Sequence, residues 1–212
     1  MARNKFPEET ERRILEVSRR LFTEKGYEHT TIQDIVDALG MSKGAIYHHF
    51  KSKEDIYDRI CDSYYGKQPW MRQPNTLPGE NALEKARYLF RFMLSDPEKL
   101  QLDRLIPNTE RLDPRLLEMT LRSTIADAAP LLTTLIEAGN ADGSLHIDQP
   151  RQVSESFMVL MNLWVGNCTT DKEDFLAKLR FMRRFSDQMG LPVIDDELFS
   201  IAERYFDFVM PQ

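Results

Sequence analysis

Two adjacent histidines, His48 and His49, stand in the stretch GMSKGAIYHHF (residues 40–50), beside Lys43 and Tyr47. Paired imidazoles suit three kinds of chemistry: holding a metal, moving protons, or meeting nucleic acid. A metal held from a single helix needs ligands on one face, as at i and i+4, whereas adjacent residues point about 100° apart. At those spacings His48 has Gly44, Ala45, Lys51 and Ser52, and His49 has Ala45, Ile46, Ser52 and Lys53. None of these is a usual metal ligand, so the expected metal set is none. Proton transfer lacks a partner as well. Ser42 reads better as a helix cap than as a nucleophile, and the chain has no G-x-S-x-G, Walker loop or H-E-x-x-H. The expected catalytic residues and cofactors are therefore none, and an enzyme on a helical scaffold stays a remote alternative. Nucleic acid remains, beside the plainer alternative of a packed surface helix with no partner.

The elements that must position these residues read as helices. Ile14, Val17 and Leu21 mark one between Pro7 and Gly26. Ile32, Ile35, Val36 and Leu39 mark a second. It is opened by Thr31 with Asp34 three residues on, as in a capping box, and stopped by Gly40. A third begins at Ser42, and a fourth at Ser52 with Asp55 again at capping-box spacing. A capped helix, a turn carrying glycine and a second short helix describe a helix-turn-helix. Within 42–50 the spacing splits the faces. Ile46 and Phe50 point inward with His49 on the border, while the pairs Lys43–Tyr47 and Gly44–His48 share an outer face. Gly44 costs this helix roughly 1 kcal/mol relative to alanine, and its bare backbone permits close approach to another surface.

Residues 66–79, GKQPWMRQPNTLPG, hold three prolines and two glycines and read as a linker loop. Beyond it, Leu83, Ala86, Phe90 and Met93 share one face. The stretch 114–138 reads as two helices, or as one bent at Pro130. Residues 153–168 are apolar nearly all round, which implies burial on several sides. Phe175, Leu179, Met182 and Met189 stripe a helix over 172–189, and Leu198, Ile201, Ala202, Tyr205 and Val209 stripe a last one. The expected class is all-α. A three-helix helix-turn-helix domain occupies 1–65 (motif about 31–50, recognition helix 42–49), followed by the linker 66–79 and a larger helical ligand-binding and dimerisation domain at 80–212.

The totals fit that division. The formal net charge is −6, yet residues 1–60 carry 11 Lys+Arg and 11 Asp+Glu, so the acidity belongs to the rest. A neutral N-terminal part can still place its cations on one face. Two cysteines, Cys61 and Cys168, cannot build a disulfide framework and read as small buried residues. With no apolar signal core and no run of 18 apolar residues, the expected location is the cytoplasm, with no membrane partner.

The sequence HTTIQDIVDALGMSKGAIYHHFKSKEDIY resembles the DNA-binding region of the TetR family of bacterial transcriptional repressors, over about residues 10–60. The resemblance implies contacts to double-stranded DNA at a palindromic operator. It implies that Thr31 meets a phosphate at a helix N-terminus, and that Gln33 reaches DNA from one turn further on. It implies that Ser42 caps the recognition helix, that Lys43 and Gly44 meet base edges, and that Tyr47, His48 and Lys53 meet the backbone. It further implies a homodimer, here through about 150–167 and 172–189, and an unknown small-molecule effector that releases a repressor from its operator. Phe90, Met93, Phe157, Met161 and Trp164 are the candidate pocket residues. Two alternatives of the same fold stay open: a transcriptional activator, and a regulator controlled by a protein partner.

Overall fold

The computed structural model describes residues 7–106 and 112–210. It begins with α1 (Pro7–Lys25), α2 (Ile32–Leu39), α3 (Lys43–His49) and α4 (Lys53–Tyr65). The caps hold as local chemistry dictates. The Asp34 amide donates to Thr31 Oγ1 at 3.1 Å, and the Thr31 amide donates to the Asp34 carboxylate at 2.8 Å. Ser42 Oγ accepts the Ala45 amide, and Ser52 Oγ accepts the Asp55 amide, each at 3.2 Å. Each such cap contributes about 1 kcal/mol by satisfying an otherwise orphaned N–H. Gly40 ends α2 in the left-handed region at φ 63°, and the Met41 amide donates back to the Val36 carbonyl. A side chain on Gly40 would be strained in that conformation.

The chain continues through α5 (Pro69–Arg72), a 3-10 turn (Pro74–Thr76), α6 (Ala82–Met93) and α7 (Pro97–Asp103). Next come α8 (Pro114–Ser123), a π-turn (Thr124–Ala128) and α9 (Ala129–Asp142), which form one continuous rod. The last elements are α10 (Pro150–Val159), running into a π-segment (Leu160–Asn167), then α11 (Lys172–Gln188) and α12 (Asp196–Val209). Among the described residues there is no strand, and no helix is long and apolar enough to cross a membrane. The fold is all-α.

Two apolar clusters organise these helices. The first joins Ile14 and Phe22 of α1, Ile35 and Leu39 of α2, Ile46 of α3, Phe50, and Ile56 and Ile60 of α4. It also takes in Leu102, Leu105 and Ile106 from α7 and its exit, and Leu116 from α8. The second gathers α6, α9, α10, α11 and α12 around Leu135, Ile136, Phe157 and Met182. Each fully buried aliphatic or phenyl side chain contributes about 1.5–3 kcal/mol of transfer free energy. Tyr65, at the end of α4, packs against both clusters.

Several expectations need correction. Residues 66–79 are not an open loop: α5 and the 3-10 turn lie there, and Trp70 and Leu77 are buried in the second cluster. Prolines open these short elements, since proline fits a helix's first turn. The stretch 114–142 runs as one continuous helix, with a π-turn over Thr124–Ala128 just ahead of Pro130. Met189 caps α11 and is exposed, outside the buried stripe. Cys61 is half-buried and Cys168 exposed rather than both buried. On α6 the buried positions are Ala82, Ala86 and Leu89, while Leu83, Phe90 and Met93 are half-buried against the core.

Short α7 fastens the two clusters together. Lys99 donates to both Asp103 carboxylate oxygens at 2.5 and 2.6 Å, and Tyr205 of α12 donates to Asp103 at 3.0 Å. Burial, the largest influence, pushes the Lys99 ammonium pKa down, but Asp103 beside it, together with Tyr65 and Tyr205, more than offsets that and holds it well above the ordinary value. Glu98 meets Arg19 of α1 at 3.1 Å and Lys67, just past α4, at 3.4 Å. Burial lifts the nearby Cys61 thiol to about 12, so it carries no thiolate at neutral pH.

Candidate nucleic-acid interface

Helix α3 is a seven-residue rod with one dry side and one open side. Ile46 is 0% exposed and Phe50, its C-cap, is 2% exposed, so both anchor α3 to α2 and α4. On the open side Ser42, Lys43, Gly44, Tyr47 and His48 are all exposed, Tyr47 to 47%. A tyrosine bared to that extent on a packed helix has given up apolar burial that it could have had inside. The Lys43 ammonium stands 6.0 Å from the Tyr47 ring centroid, as their i, i+4 spacing brings about. A Cβ built on Gly44 would meet nothing within 4 Å, so the space above the helix tip is free.

The histidines part as their helical spacing requires. His48 is exposed, whereas His49 is half-buried with its ring 6.4 Å from that of Phe50. Their rings still touch edge to face, centroids 5.3 Å apart, which keeps His49 at the border of the two faces.

The N-terminus of α2 presents Thr31 and Gln33, both exposed. Their polar groups are already engaged. Thr31 Oγ1 lies 2.6 Å from Asp34 Oδ2, and Gln33 Nε2 donates to Asp37 at 2.8 Å. The Lys25 ammonium reaches Asp34 at 2.7 Å. Hydrogen bonds from Lys25, then from Thr31, hold the Asp34 carboxyl well below the usual carboxylate range. Sequence reasoning passed over Lys25. Its signal was a basic residue in the last turn of α1, next to Gly26, where only folding reveals the neighbouring helix start.

Lys53 departs furthest from its expected surroundings. Its ammonium donates to the Tyr27 carbonyl at 2.6 Å and to the Glu28 carbonyl at 3.3 Å, and lies 4.1 Å from the Tyr27 ring centroid. The side chain turns back onto the α1–α2 loop and is half-buried there.

In the second cluster the pocket candidates divide into separate neighbourhoods. Phe90 and Phe157 stack edge to face at 5.5 Å, and Phe157 is 1% exposed, a core residue. Trp164 instead turns to Phe181 of α11 at 5.5 Å, with the Lys178 ammonium at the same distance from its ring. Met93 and Met161 are half-buried against the same cluster.

A capped short helix with a dry back and an open front of cation, phenol and imidazole defines a helix-turn-helix DNA-binding protein. Residues 14–60 match the profile of bacterial regulatory proteins of the tetR family. Over 157 residues the chain is 32% identical to the transcriptional repressor AcnR of Corynebacterium efficiens, covering 72% of this chain and 77% of that one. Over 58 residues it is 50% identical to YerO, an uncharacterised helix-turn-helix regulator of Bacillus subtilis, in a stretch that is 27% of this chain and 20% of that protein. GusR of Salmonella enterica shares the fold at a TM-score of 0.60 and 21% identity, over 89% of this chain and 98% of that one. The chain belongs to the TetR family of bacterial transcriptional regulators. It is a DNA-binding regulator of transcription.

Proposed function

We propose that the chain is a homodimeric repressor that seats α3 of each protomer in successive major grooves of a palindromic operator. The observation that carries this reading is the open face of α3. Lys43 and Gly44 stand at the capped tip, with Tyr47 and His48 beside them. The major groove is about 12 Å wide and admits one helix, and dimers place two such helices about 34–36 Å apart or at multiples of that. Lys43 reads guanine O6/N7 and Gly44 lets the backbone approach base edges. Tyr47 and His48 settle on phosphates, as does Thr31 at the start of α2, while Ser42 caps α3 and Gln33 reaches DNA from one turn further on. That division makes 1–65 the DNA-binding part and 80–212 the part that binds ligand and dimerises.

The dimer surface in this reading is the face where the 160–167 segment meets α11. Met158 through Trp164 are half-buried in the lone protomer, and Phe181 of α11 is 45% exposed. Phe181 also stacks on Phe185, their centroids 6.2 Å apart, which widens the apolar face. Apolar side chains left half in water on two adjacent helices favour a matching copy. An effector acts by binding one of two conformers more tightly, and release follows if that conformer sets the two α3 helices at a mismatched spacing.

Repression rather than activation is supported by the AcnR relatives, which are named repressors at 32% and 30% identity over most of their length. The test is to select duplexes from a random pool with the purified chain, then place the selected site over a reporter promoter. A palindromic consensus and a silenced reporter are expected. A consensus without dyad symmetry, or a reporter that the chain switches on, would overturn the respective half of the reading.

A further inference from the structure

We infer that Lys53 is a positioning residue for DNA recognition, acting through an internal strap to the α1–α2 loop rather than by holding a phosphate. The strap has three parts that meet at one ammonium. Two donated hydrogen bonds, 2.6 Å to the Tyr27 carbonyl and 3.3 Å to the Glu28 carbonyl, fix the loop backbone to the first residue of α4. The Tyr27 ring, 4.1 Å from the same cation, fixes it by a cation–π contact. Tyr27 is itself clamped, edge to face, by Phe22 of α1 at 5.1 Å and Tyr57 of α4 at 5.7 Å.

The strap's position gives it leverage over recognition. Glu28 lies three residues before Thr31, the N-cap of α2, and α2 carries α3 across the Gly40 turn. Thr30 continues the fixing: its amide donates to the Tyr27 carbonyl, and its hydroxyl donates to the Gly26 carbonyl. Through these bonds the distance between the start of α4 and the start of α2 is set, and with it the placement of α3. The ammonium thus donates to two backbone carbonyls of the loop.

A phosphate ligand and a strap give opposite signatures in salt. Removing a cation that neutralises one phosphate flattens the slope of log K against log[salt] by about 0.9. The experiment titrates the full chain with its own tightest selected duplex, over a series of KCl concentrations, at a temperature where every variant is fully folded. For Lys53→Met the expected result is a roughly tenfold loss of affinity with the slope unchanged. Lys53→Arg, which keeps two donors and a cation over Tyr27, should recover most of the affinity. Hydrogen exchange at residues 28–31 should quicken in Lys53→Met and not in Lys53→Arg. A slope flattened by about 0.9 per protomer overturns the inference and returns Lys53 to the phosphate. Unchanged affinity with only a lowered melting temperature also overturns it, because a merely structural tie has no effect on DNA once the chain is folded. If Lys53→Met does not fold, Lys53→Gln carries the same titration, keeping a neutral donor of similar shape. The inference rests on the proposed seating of α3, and Lys43→Ala in the same series separates the two. Unaltered base preference in Lys43→Ala condemns the seating, whereas the affinity and salt slope of the Lys53 variants together decide the strap.

Discussion

The Tyr64 hydroxyl donates to Asp96 Oδ1 at 3.0 Å, tying the last turn of α4 to the N-cap of α7. The same carboxylate oxygen accepts the Lys99 amide at 2.9 Å, so one acceptor both caps α7 and binds it to α4. Tyr64 is buried, and its bond to a charged group contributes about 1.5–3 kcal/mol. Tyr64→Phe keeps the ring packing and loses that bond. Unfolding in urea should show a loss of about 1.5 kcal/mol with the slope m unchanged. An unchanged midpoint would mean that the junction of α4 and α7 contributes nothing through this pair.

Gly44 offers a separation of folding from function. A Cβ there meets no atom within 4 Å in the free protein, and non-glycine residues in a helix are favoured by a few tenths to about 1 kcal/mol. Gly44→Val should therefore melt no lower than the parent chain, yet bind the selected duplex at least tenfold more weakly. Binding at parental strength would show that the helix tip does not approach the bases.

Lys43→Ala should relax base preference at one position of each half-site, costing about 1–3 kcal/mol of discrimination there. Repeating the duplex selection with the variant reads this out directly. A uniform loss across all sequences would assign Lys43 to the backbone instead.

Asp195 carries a pH dependence of stability. It caps α12 by accepting the Leu198 amide at 2.9 Å, and it pairs with Arg91 of α6. Burial raises its carboxyl, but the Leu198 amide and Arg91 outweigh burial and leave it below the ordinary value. A depressed carboxylate contributes stability that is present above its unfolded pKa and lost as pH falls through its folded one. Asp195→Asn retains a capping oxygen and removes the charge. The parent should lose more stability than the variant as pH falls from about 5 to 2, followed by thermal melts. Parallel curves would sink the assignment.

Phe181→Glu tests the dimer face. Phe181 is 45% exposed beside Trp164 and is not needed for the monomer's core, so the variant should fold. Sedimentation at micromolar concentration should show a dimer for the parent and a monomer for the variant. A variant that stays dimeric moves the interface elsewhere.

Much of this protein was legible residue by residue. The caps at Thr31, Ser42 and Ser52, the stop at Gly40 and the two faces of α3 follow from local rules, because side chain and backbone partner lie within four residues of each other. The family likeness at 14–60 was legible for the same reason: a helix-turn-helix is a run of local signals in fixed order.

Local signals in the chain thus settle its all-helical class, the position of its short third helix and which α3 residues point outward. Folding alone turns Lys53 inward to the Tyr27 and Glu28 carbonyls, 26 and 25 positions away. It also puts Leu102 and Leu116 into the N-terminal cluster, and sends Trp164 to Phe181 and Phe90 to Phe157. The reason is physical. A helix period says which side chains share a face, but a long flexible cation or a half-apolar face takes whichever partner the packed chain brings near. That choice is made by contacts between residues far apart in sequence, which no local spacing encodes.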